Sequence, residues 1–301
     1  MTYLEWPEER VSRKDHFESW FVHGSNICLD FHGDPARADL IVFSDGNHHM
    51  ALKECLEFFQ DQYGDAGIFY ATTPPGPIAK MIRSGGLNLG NLTLRASPDI
   101  FISPPDIVES LVRDELVSEC QQFVRNQGNV LLVKKNNPKN IQTVLDFKKH
   151  QIRLFLSNPE TEKASYHNYY RTLENLSGIT GFPEYLMESG QVIFGKKIHH
   201  REAPQAIADG NADAAVVFYH LGLRCVRIFP DIFEIIPLGG SVEKPEPLPG
   251  NEIGLTCIGL VGDGGKWGRI FLSFMKSEKA MEIYQYHGLL PWDGGSLMCR
   301  L

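Results

Sequence analysis

Apolar runs and polar, periodic segments alternate along most of the chain, which predicts alternating β-strands and α-helices. Within residues 38–64, an apolar run at Leu40–Phe43 is followed by turn formers at Ser44–Asn47 and by apolar residues at roughly helical spacing through Phe59. This pattern predicts a strand, a polar turn and a helix. The N-terminus of such a helix presents free backbone N–H groups and the positive end of its dipole, so the turn favours an anion.

The same alternation continues towards the C-terminus. It predicts further strands at residues 66–72, 97–103, 128–135, 152–158, 191–195, 214–220, 233–238 and 253–262. It predicts helices at residues 78–85, 107–120, 141–150, 163–178 and 203–210, and two more within residues 266–288. We interpret residues 85–96 as an inserted loop or hairpin and residues 25–33 as a strand that could cover a sheet edge. Strands that alternate with helices indicate an α/β chain with a parallel or mixed sheet.

Length and composition indicate a soluble protein of two lobes. A chain of 301 residues suits two α/β lobes with a cleft between them, because single cores stop growing at about 250–300 residues. Hydrophobic residues make up 43% and charged residues 22%, and no apolar run is long enough for a membrane span. The formal charge of −8, without a long Lys/Arg run, argues against nucleic acid as a partner.

The sequence contains no motif of a common catalytic or cofactor site. GxSxG, HExxH, P-loop and GxGxxG patterns are absent, and we predict no catalysis and no cofactor. Six cysteines are scattered without C-x-x-C spacing, so we interpret them as free thiols that pack as small hydrophobic residues. Their positions are 28, 55, 120, 225, 257 and 299.

Four segments of the chain carry a resemblance to a known family. They are VFSDGNHHMALKECLEFFQDQYG at residues 42–64, ATTPPGPIAKMIRSG at 71–85, SPDIFIS at 97–103 and AIADGNADAAVVFYHLGL at 206–223. In this order and spacing, the chain resembles the molybdate-binding proteins, which are the substrate-binding components of molybdate ABC importers. The resemblance covers roughly Ala38 to Trp292.

This resemblance implies the two-lobe α/β architecture of the type II periplasmic-binding proteins, with mixed sheets flanked by helices and a ligand cleft between the lobes. It makes residues 1–37 an N-terminal extension, residues 38–128 and 238–301 lobe 1, and residues 129–237 lobe 2. It implies a solute-binding protein that closes over a molybdate- or tungstate-like oxyanion without catalysis. An exported protein of this kind would have an ABC permease as its partner.

The resemblance also implies a set of ligand-binding residues. In the resembled family, small hydroxyl residues, backbone N–H groups and one Tyr hydroxyl hold the oxyanion without a counter-charge. By position, these roles fall on Asn47, on Thr73 and Gly76 in the second loop, and on Tyr219. The alternative for Tyr219 is a buried side chain whose hydroxyl bonds to the backbone.

Two polar runs, at residues 45–49 and 199–201, depart from the family's pattern. The carboxylate of Asp45 would repel a dianion, whereas Arg201 and a protonated His48 would attract one. Adjacent histidines in both runs could contact an anion or an organic ligand, bind a transition metal, or lie exposed without a role. These metal candidates are His48, His49, His199 and His200. The alternative function is therefore a cytoplasmic ligand sensor or a metal-dependent enzyme on the same scaffold.

Residues 1–20 contain neither the apolar core nor the small-residue cleavage site of a secretory signal. As the sequence stands, we expect a cytoplasmic protein, and a periplasmic one if a leader was removed.

Overall fold

Strands and helices alternate along the computed structural model, which describes residues 4–6, 30–64, 66–89, 92–94, 96–149, 151–196 and 198–292. The strands are β1 (Asp30–His32), β2 (Leu40–Ser44), β3 (Ile68–Thr72), β4 (Leu87–Leu89), β5 (Leu92–Leu94), β6 (Ile100–Ser103), β7 (Val117–Arg125), β8 (Asn129–Lys134), β9 (Leu154–Leu156), β10 (Val192–Phe194), β11 (Ala214–Phe218), β12 (Phe233–Pro237), β13 (Leu255–Val261) and β14 (Leu290–Pro291). The α-helices are α1 (His49–Gln62), α2 (Pro75–Ser84), α3 (Pro105–Arg113), α4 (Lys163–Ser177), α5 (Phe182–Glu188), α6 (His199–Ala208), α7 (Tyr219–Ile228), α8 (Gly265–Met275) and α9 (Glu278–Tyr286), with 3₁₀ helices at Gly46–His48 and Val144–Lys148. None of the helices in these ranges has the length and apolarity that a bilayer span requires. The predicted α/β class is confirmed.

Internal contacts divide the chain into two units. Among the described residues, the terminal unit consists of residues 30–125 and 255–292, and the central unit consists of residues 4–6 and 126–254. The chain therefore enters the central unit at Arg125–Asn126 and leaves it at Gly254–Leu255.

The terminal unit is built on a sheet whose described strands follow the order β1-β3-β2-β6-β13-β7-β14. Strand β2 is parallel to β3 and β6, whereas β13 is antiparallel to β6 and β7. Leu40 and Val42 of β2 pack with α1, α8 and α9 in one core, and Phe43 packs with α2 and α3 in the other. Since helices cover both faces, the central strands are continuous apolar runs rather than alternating ones.

The central unit has its own sheet, with the described strands in the order β10-β9-β11-β8-β12. Strands β10, β9 and β11 are parallel, and β8 is antiparallel to β11 and β12. Helices α6 and α7 supply core residues that pack on Val130, Phe155 and Val217 of this sheet.

Residues 238–254, which we predicted in lobe 1, pack with the central unit. The buried Asn251 amide donates to the carbonyl oxygens of Asn129 (2.9 Å) and Leu238 (3.2 Å) and accepts the Asn129 N–H (2.8 Å). Gly128 has φ +75° and lies against this side chain, because a Cβ there would be 2.9 Å from Asn251 Nδ2. Long-range hydrogen bonds thus attach this Gly- and Pro-rich loop to the central unit. The composition of the loop did not indicate this attachment.

Two parts of the predicted N-terminal extension fall in the described residues. Strand β1 pairs antiparallel with β3 at the sheet edge, as predicted for residues 30–32, whereas residues 25–29 lie outside the described residues. Leu4 is buried in the core of the central unit, and its N–H donates to Gln205 Oε1 at 3.1 Å. Trp6 packs edge-on against Phe229 at 5.1 Å.

Two helix predictions are wrong in part, since α3 covers only residues 107–113 of the first and the second is a short 3₁₀ helix, and one hairpin prediction is confirmed. Residues 117–120 belong to β7, because Glu115 takes φ +58° after α3 and the chain then continues as an extended strand. At residues 141–150 only a 3₁₀ helix forms among the described residues, since the Asp146 carboxylate binds the N–H groups of Gln142 and Thr143 (2.7 and 3.0 Å). Strands β4 and β5 form the expected hairpin.

The cysteines follow the free-thiol interpretation at three described positions. Cys55, Cys225 and Cys257 are free and buried, and burial raises the pKa of each thiol. Cys120 is disulfide-bonded, so the interpretation is wrong there. Positions 28 and 299 lie outside the described residues.

Candidate functional site

Three parallel strands of the terminal unit end in hydroxyl residues at one edge of the sheet. Ser44 ends β2, Thr72 ends β3 and Ser103 ends β6, and all three are buried. Ser44 pairs in register with Thr72 on one side and with Ile102 on the other. The Ser103 hydroxyl makes no hydrogen bond to any described residue. Ligands of open α/β sheets bind outside such carboxyl ends, so this edge is a candidate site.

The turn at residues 44–49 caps its own helix with a carboxylate. Asp45 Oδ1 accepts the N–H of Asn47 at 2.9 Å, at the start of the 3₁₀ helix that leads into α1. Burial raises the pKa of Asp45 to about 6, although the hydrogen bond from Asn47 opposes the shift. The Asn47 N–H, at a position predicted to contact an anion, therefore already has an acceptor inside the protein.

His48 lies in the interior of the terminal unit, with both ring nitrogens engaged. Nε2 is 3.0 Å from Ser44 Oγ, and Nδ1 is 2.8 Å from the Tyr284 hydroxyl oxygen. A neutral ring protonated on Nε2 satisfies both contacts, since Tyr284 then donates to Nδ1 and Ser44 donates onward to the Asp45 carbonyl oxygen at 3.0 Å. His49 is also buried, with Nδ1 2.8 Å from the Gly46 carbonyl oxygen.

The second predicted loop offers few backbone donors. Three of residues 74–77 are prolines without an N–H, so Gly76 provides the only amide donor of this stretch at the start of α2. Gly76 is exposed, and nothing lies within 4 Å of the position a Cβ would occupy. Thr73 is buried, and its N–H donates to the Ser44 carbonyl oxygen at 3.1 Å, which joins the two loops.

Polar residues also follow the parallel strands of the central unit. Ser157 directly follows β9, Gly195 follows β10, and α6 begins at His199. Gly195 lies between the other two: its N–H donates to the Leu156 carbonyl oxygen at 3.0 Å, and its carbonyl accepts from Asn158 Nδ2 at 3.0 Å. A Cβ on Gly195 would lie 3.1 Å from Glu202 Oε2, 3.5 Å from the Phe155 ring and 3.8 Å from His199 Cα, so Gly195 packs closely against the start of α6.

The side chain of Glu162, which directly precedes α4 in the chain, caps the N-terminus of α6. Both of its carboxylate oxygens accept the backbone N–H of His199, at 3.1 and 3.2 Å. Burial raises the pKa of Glu162 to about 7, the His199 N–H opposes the shift, and nearby Glu202 adds to it. We call four residues the strand-end cluster: Ser157, Glu162, Gly195 and His199.

Two side chains of the strand-end cluster are buried without a hydrogen bond. Ser157 Oγ and both ring nitrogens of His199 have no partner of suitable geometry among the described residues. His199 is 2% exposed, and its ring lies 5.6 Å from that of Phe155 and 5.1 Å from that of Tyr169. Burial lowers the pKa of His199 to about 4, and a looser polar contact of the ring with the Phe155 backbone, outside the geometry of a full hydrogen bond, opposes the shift more weakly. The imidazole is therefore neutral at neutral pH.

The other predicted residues of the central unit lie in the first turns of α6 and α7. His200 and Arg201 are the second and third residues of α6 and are half-buried. Tyr219 begins α7, and its hydroxyl donates to the Val242 carbonyl oxygen at 2.8 Å. Burial raises the pKa of Tyr219. This arrangement matches the alternative considered for Tyr219, a buried side chain bonded to the backbone.

The predicted residues are thus distributed over both units. Asn47, Thr73 and Gly76 lie in the terminal unit with one histidine pair, and Arg201 and Tyr219 lie in the central unit with the other. In the part of the chain that the structure describes, no three His, Cys, Asp or Glu side chains are grouped so that they could hold a metal ion.

Comparison with known families decides the broad identity. Residues 40–290 match the family model described as bacterial extracellular solute-binding protein. The chain belongs to this family. It is a family of binding proteins rather than enzymes, in agreement with the prediction of no catalysis. No curated protein sequence matches the chain.

Solved structures of similar fold include three binding proteins. The periplasmic molybdate-binding protein of Azotobacter vinelandii is 17% identical with a TM-score of 0.59, over 84% of this chain and 99% of that chain. The sulfate-binding protein SubI of Mycobacterium tuberculosis H37Rv is 13% identical with a TM-score of 0.62, over 85% and 87%. Iron-bound HitA of Pseudomonas aeruginosa is 14% identical with a TM-score of 0.60, over 85% and 87%. The resemblance to the molybdate-binding proteins and the type II periplasmic-binding-protein fold are confirmed.

Sequence patterns did not identify three residues of these strand ends: the buried hydroxyls of Ser103 and Ser157 and the carboxylate of Glu162. Ser103 ends the matched segment SPDIFIS, and Ser157 follows the apolar run of β9. A hydroxyl directly after a buried strand was therefore an available signal for both. Glu162 belongs to no motif, and only the fold brings it to His199.

Proposed function

We propose that this solute-binding protein captures a small oxyanion outside the cytoplasm and delivers it to an ABC permease. The family description supports the extracellular role. The names of two neighbours of the same fold, for molybdate and sulfate, support an oxyanion. The disulfide at Cys120 supports an oxidising compartment, since such bonds persist mainly in exported proteins. Of the two expected locations, the periplasmic one is therefore proposed.

One observation carries the oxyanion proposal: each unit has a buried hydroxyl at the carboxyl end of a parallel strand that makes no hydrogen bond to a described residue. These are Ser103 after β6 and Ser157 after β9. A buried hydroxyl without a hydrogen bond costs about 1–3 kcal/mol. A ligand oxygen bound at either strand end would offset that cost for the hydroxyl it contacts. Neutral donors of this kind can hold an anion without a nearby cation when they are aimed at it.

Four of the predicted residues stay candidates, each within its own unit: Asn47, Thr73 and Gly76 in the terminal unit, and Arg201 in the central unit. Gly76 contributes an exposed amide donor, and Arg201 contributes the positive charge on the first turn of α6. We leave His48 and Tyr219 out of the site, because their polar atoms bond to Ser44, Tyr284 and Val242.

A thermal-shift screen tests the proposal. The protein would be heated with molybdate, tungstate, sulfate or phosphate, and separately with ferric iron and divalent metals. A ligand present at about 100 times its dissociation constant adds about 2.7 kcal/mol of stability, which raises the melting temperature by several degrees. At least one oxyanion should produce this shift. Stabilisation by metals alone would contradict the proposal.

A further inference from the structure

Three residues near the start of the chain, Leu4 to Trp6, pack against the central unit, although the family match begins only at residue 40. Leu4 is 2% exposed and belongs to the apolar core that α6 and α7 share with the sheet, and the half-buried Trp6 packs against the same core. We call residues 4–6 the N-terminal clip. Since the rest of this unit begins at residue 126, the clip is a distant addition to its core.

The N-terminal clip contacts both helices. The Leu4 N–H donates to Oε1 of Gln205, which lies on α6, at 3.1 Å. Trp6 packs edge-on against Phe229, the residue directly after α7, with 5.1 Å between the ring centroids. The guanidinium group of Arg224 on α7 lies 4.8 Å from the centre of the Trp6 ring, within the range of a cation–π contact. The clip therefore joins α6 to α7.

Helix α6 depends on outside contacts to hold its first turn. Pro204 lies inside α6 and has no N–H, so it cannot donate the helical hydrogen bond to the His200 carbonyl oxygen. That bond would otherwise tie the first turn, which carries Arg201, to the rest of the helix. Gln205, the residue that accepts the clip's N–H, directly follows Pro204 and lies one turn after Arg201. Tertiary packing at this point therefore has a larger part in fixing the first turn.

We infer that the N-terminal clip is a positioning element for ligand binding: it holds α6 in place and thereby keeps Arg201 oriented towards the oxyanion. The clip acts through the helix rather than by contact with the ligand. Its effect on affinity rests on the proposed function, in which Arg201 supplies the positive charge.

The double variant Leu4→Ala/Trp6→Ala tests the inference by two measurements, both made well below its melting temperature. Hydrogen exchange of the α6 amides, measured by mass spectrometry without ligand, should become about tenfold faster relative to that of the α4 amides, because the clip contacts α6. The affinity for the oxyanion that stabilises wild type most, measured by calorimetry, should fall by about tenfold. Leu4→Met/Trp6→Phe keeps an apolar side chain and an aromatic ring and should stay within about twofold of wild type in both measurements.

Leu186→Ala is the matched control for a general loss of stability. It removes the same atoms as Leu4→Ala from a leucine of α5 that is also buried in the central unit. It should lower the melting temperature by several degrees, yet leave the affinity within about twofold of wild type and should not speed exchange of α6 relative to α4. Trp6→Ala alone is the milder second variant, and both effects of the double variant should appear in it at about threefold.

Three results would overturn the inference. An unchanged ratio of α6 to α4 exchange in Leu4→Ala/Trp6→Ala would show that the clip does not hold α6. Wild-type affinity despite faster exchange would show that the clip has no part in ligand binding, and an equal loss of affinity in Leu186→Ala would reduce its effect to general stability. All three would leave the proposed oxyanion function standing. If wild type binds none of the oxyanions, the proposed function fails, and the inference fails with it even where exchange of α6 responds to the clip.

Discussion

Two buried histidines near strand edges, His48 in the terminal unit and His199 in the central unit, have opposite hydrogen-bonding environments. They are 1% and 2% exposed, so burial does not distinguish them. The His48 ring bonds to Ser44 and Tyr284, whereas neither nitrogen of His199 makes a hydrogen bond of full geometry among the described residues, beyond a looser contact with the Phe155 backbone. The comparison teaches that an account of hydrogen-bond partners separates a structural histidine from a candidate ligand-binding one.

Replacing each histidine with Phe should give the largest difference in the free energy of unfolding between the two positions. His48→Phe would leave the buried Tyr284 hydroxyl without its partner, so the free energy of unfolding should fall by about 2–4 kcal/mol. His199→Phe removes nitrogens that have no partner and should change it by less than about 1 kcal/mol. Urea denaturation measures both values. Equal losses at the two positions would break the comparison.

The pH dependence of stability that arises from Glu162 and His199 in the central unit should be the next largest effect. The pKa of Glu162 is about 7, above its ordinary 4.5, so its stabilising contribution is complete below pH 4.5 and is lost as pH rises through 7. The pKa of His199 is about 4, below its ordinary 6.5, so its contribution is complete above pH 6.5 and is lost as pH falls towards 4. Between pH 4.5 and 6.5 the two contributions oppose each other.

Glu162→Gln separates these contributions. Relative to wild type, its free energy of unfolding should rise by about 1–3 kcal/mol between pH 4.5 and 7, because the variant lacks the carboxyl group whose contribution is lost. His199→Phe should show the reverse trend relative to wild type between pH 4 and 6.5. Denaturant midpoints across this pH range measure both trends. Parallel curves for all three proteins would show that neither group titrates as its burial implies.

Tyr219→Phe should have the smallest effect. The variant loses the hydrogen bond to Val242 but keeps the ring, so the free energy of unfolding should fall by about 0.5–1.5 kcal/mol. Ligand affinity should stay within about twofold of wild type, because the hydroxyl proton is already donated inside the central unit. A loss of about ten- to a hundredfold in affinity, with unchanged stability, would instead place the hydroxyl on the ligand.

Local patterns predicted the fold well because the strands that form the two cores are continuous apolar runs. Strand β2, helix α1 and the pair α8–α9 follow directly from such runs and from helical spacing. The same reasoning failed at residues 141–150, where the Asp146 side chain provides an alternative to helical hydrogen bonds.

The candidate site was less predictable, because its distinguishing property is the presence or absence of distant partners. Ser44 and Ser103 both end buried strands, yet of these two hydroxyls only that of Ser44 has a hydrogen bond to a described residue. One of its partners, His48, bonds in turn to Tyr284, 236 positions further along the chain. Glu162 reaches a backbone N–H 37 positions away. No local window of the sequence contains this information.

The central claim is that unpartnered strand-end hydroxyls mark the oxyanion site. Calorimetric affinity of Ser103→Ala and Ser44→Ala for the oxyanion that stabilises wild type most would test it directly, since the two serines end neighbouring strands. Ser103→Ala should bind about ten- to a hundredfold more weakly without melting earlier, because it loses a hydrogen bond to a charged ligand. Ser44→Ala should melt earlier and bind as wild type does. Unchanged affinity in Ser103→Ala, together with weaker binding in Ser44→Ala, would contradict the claim.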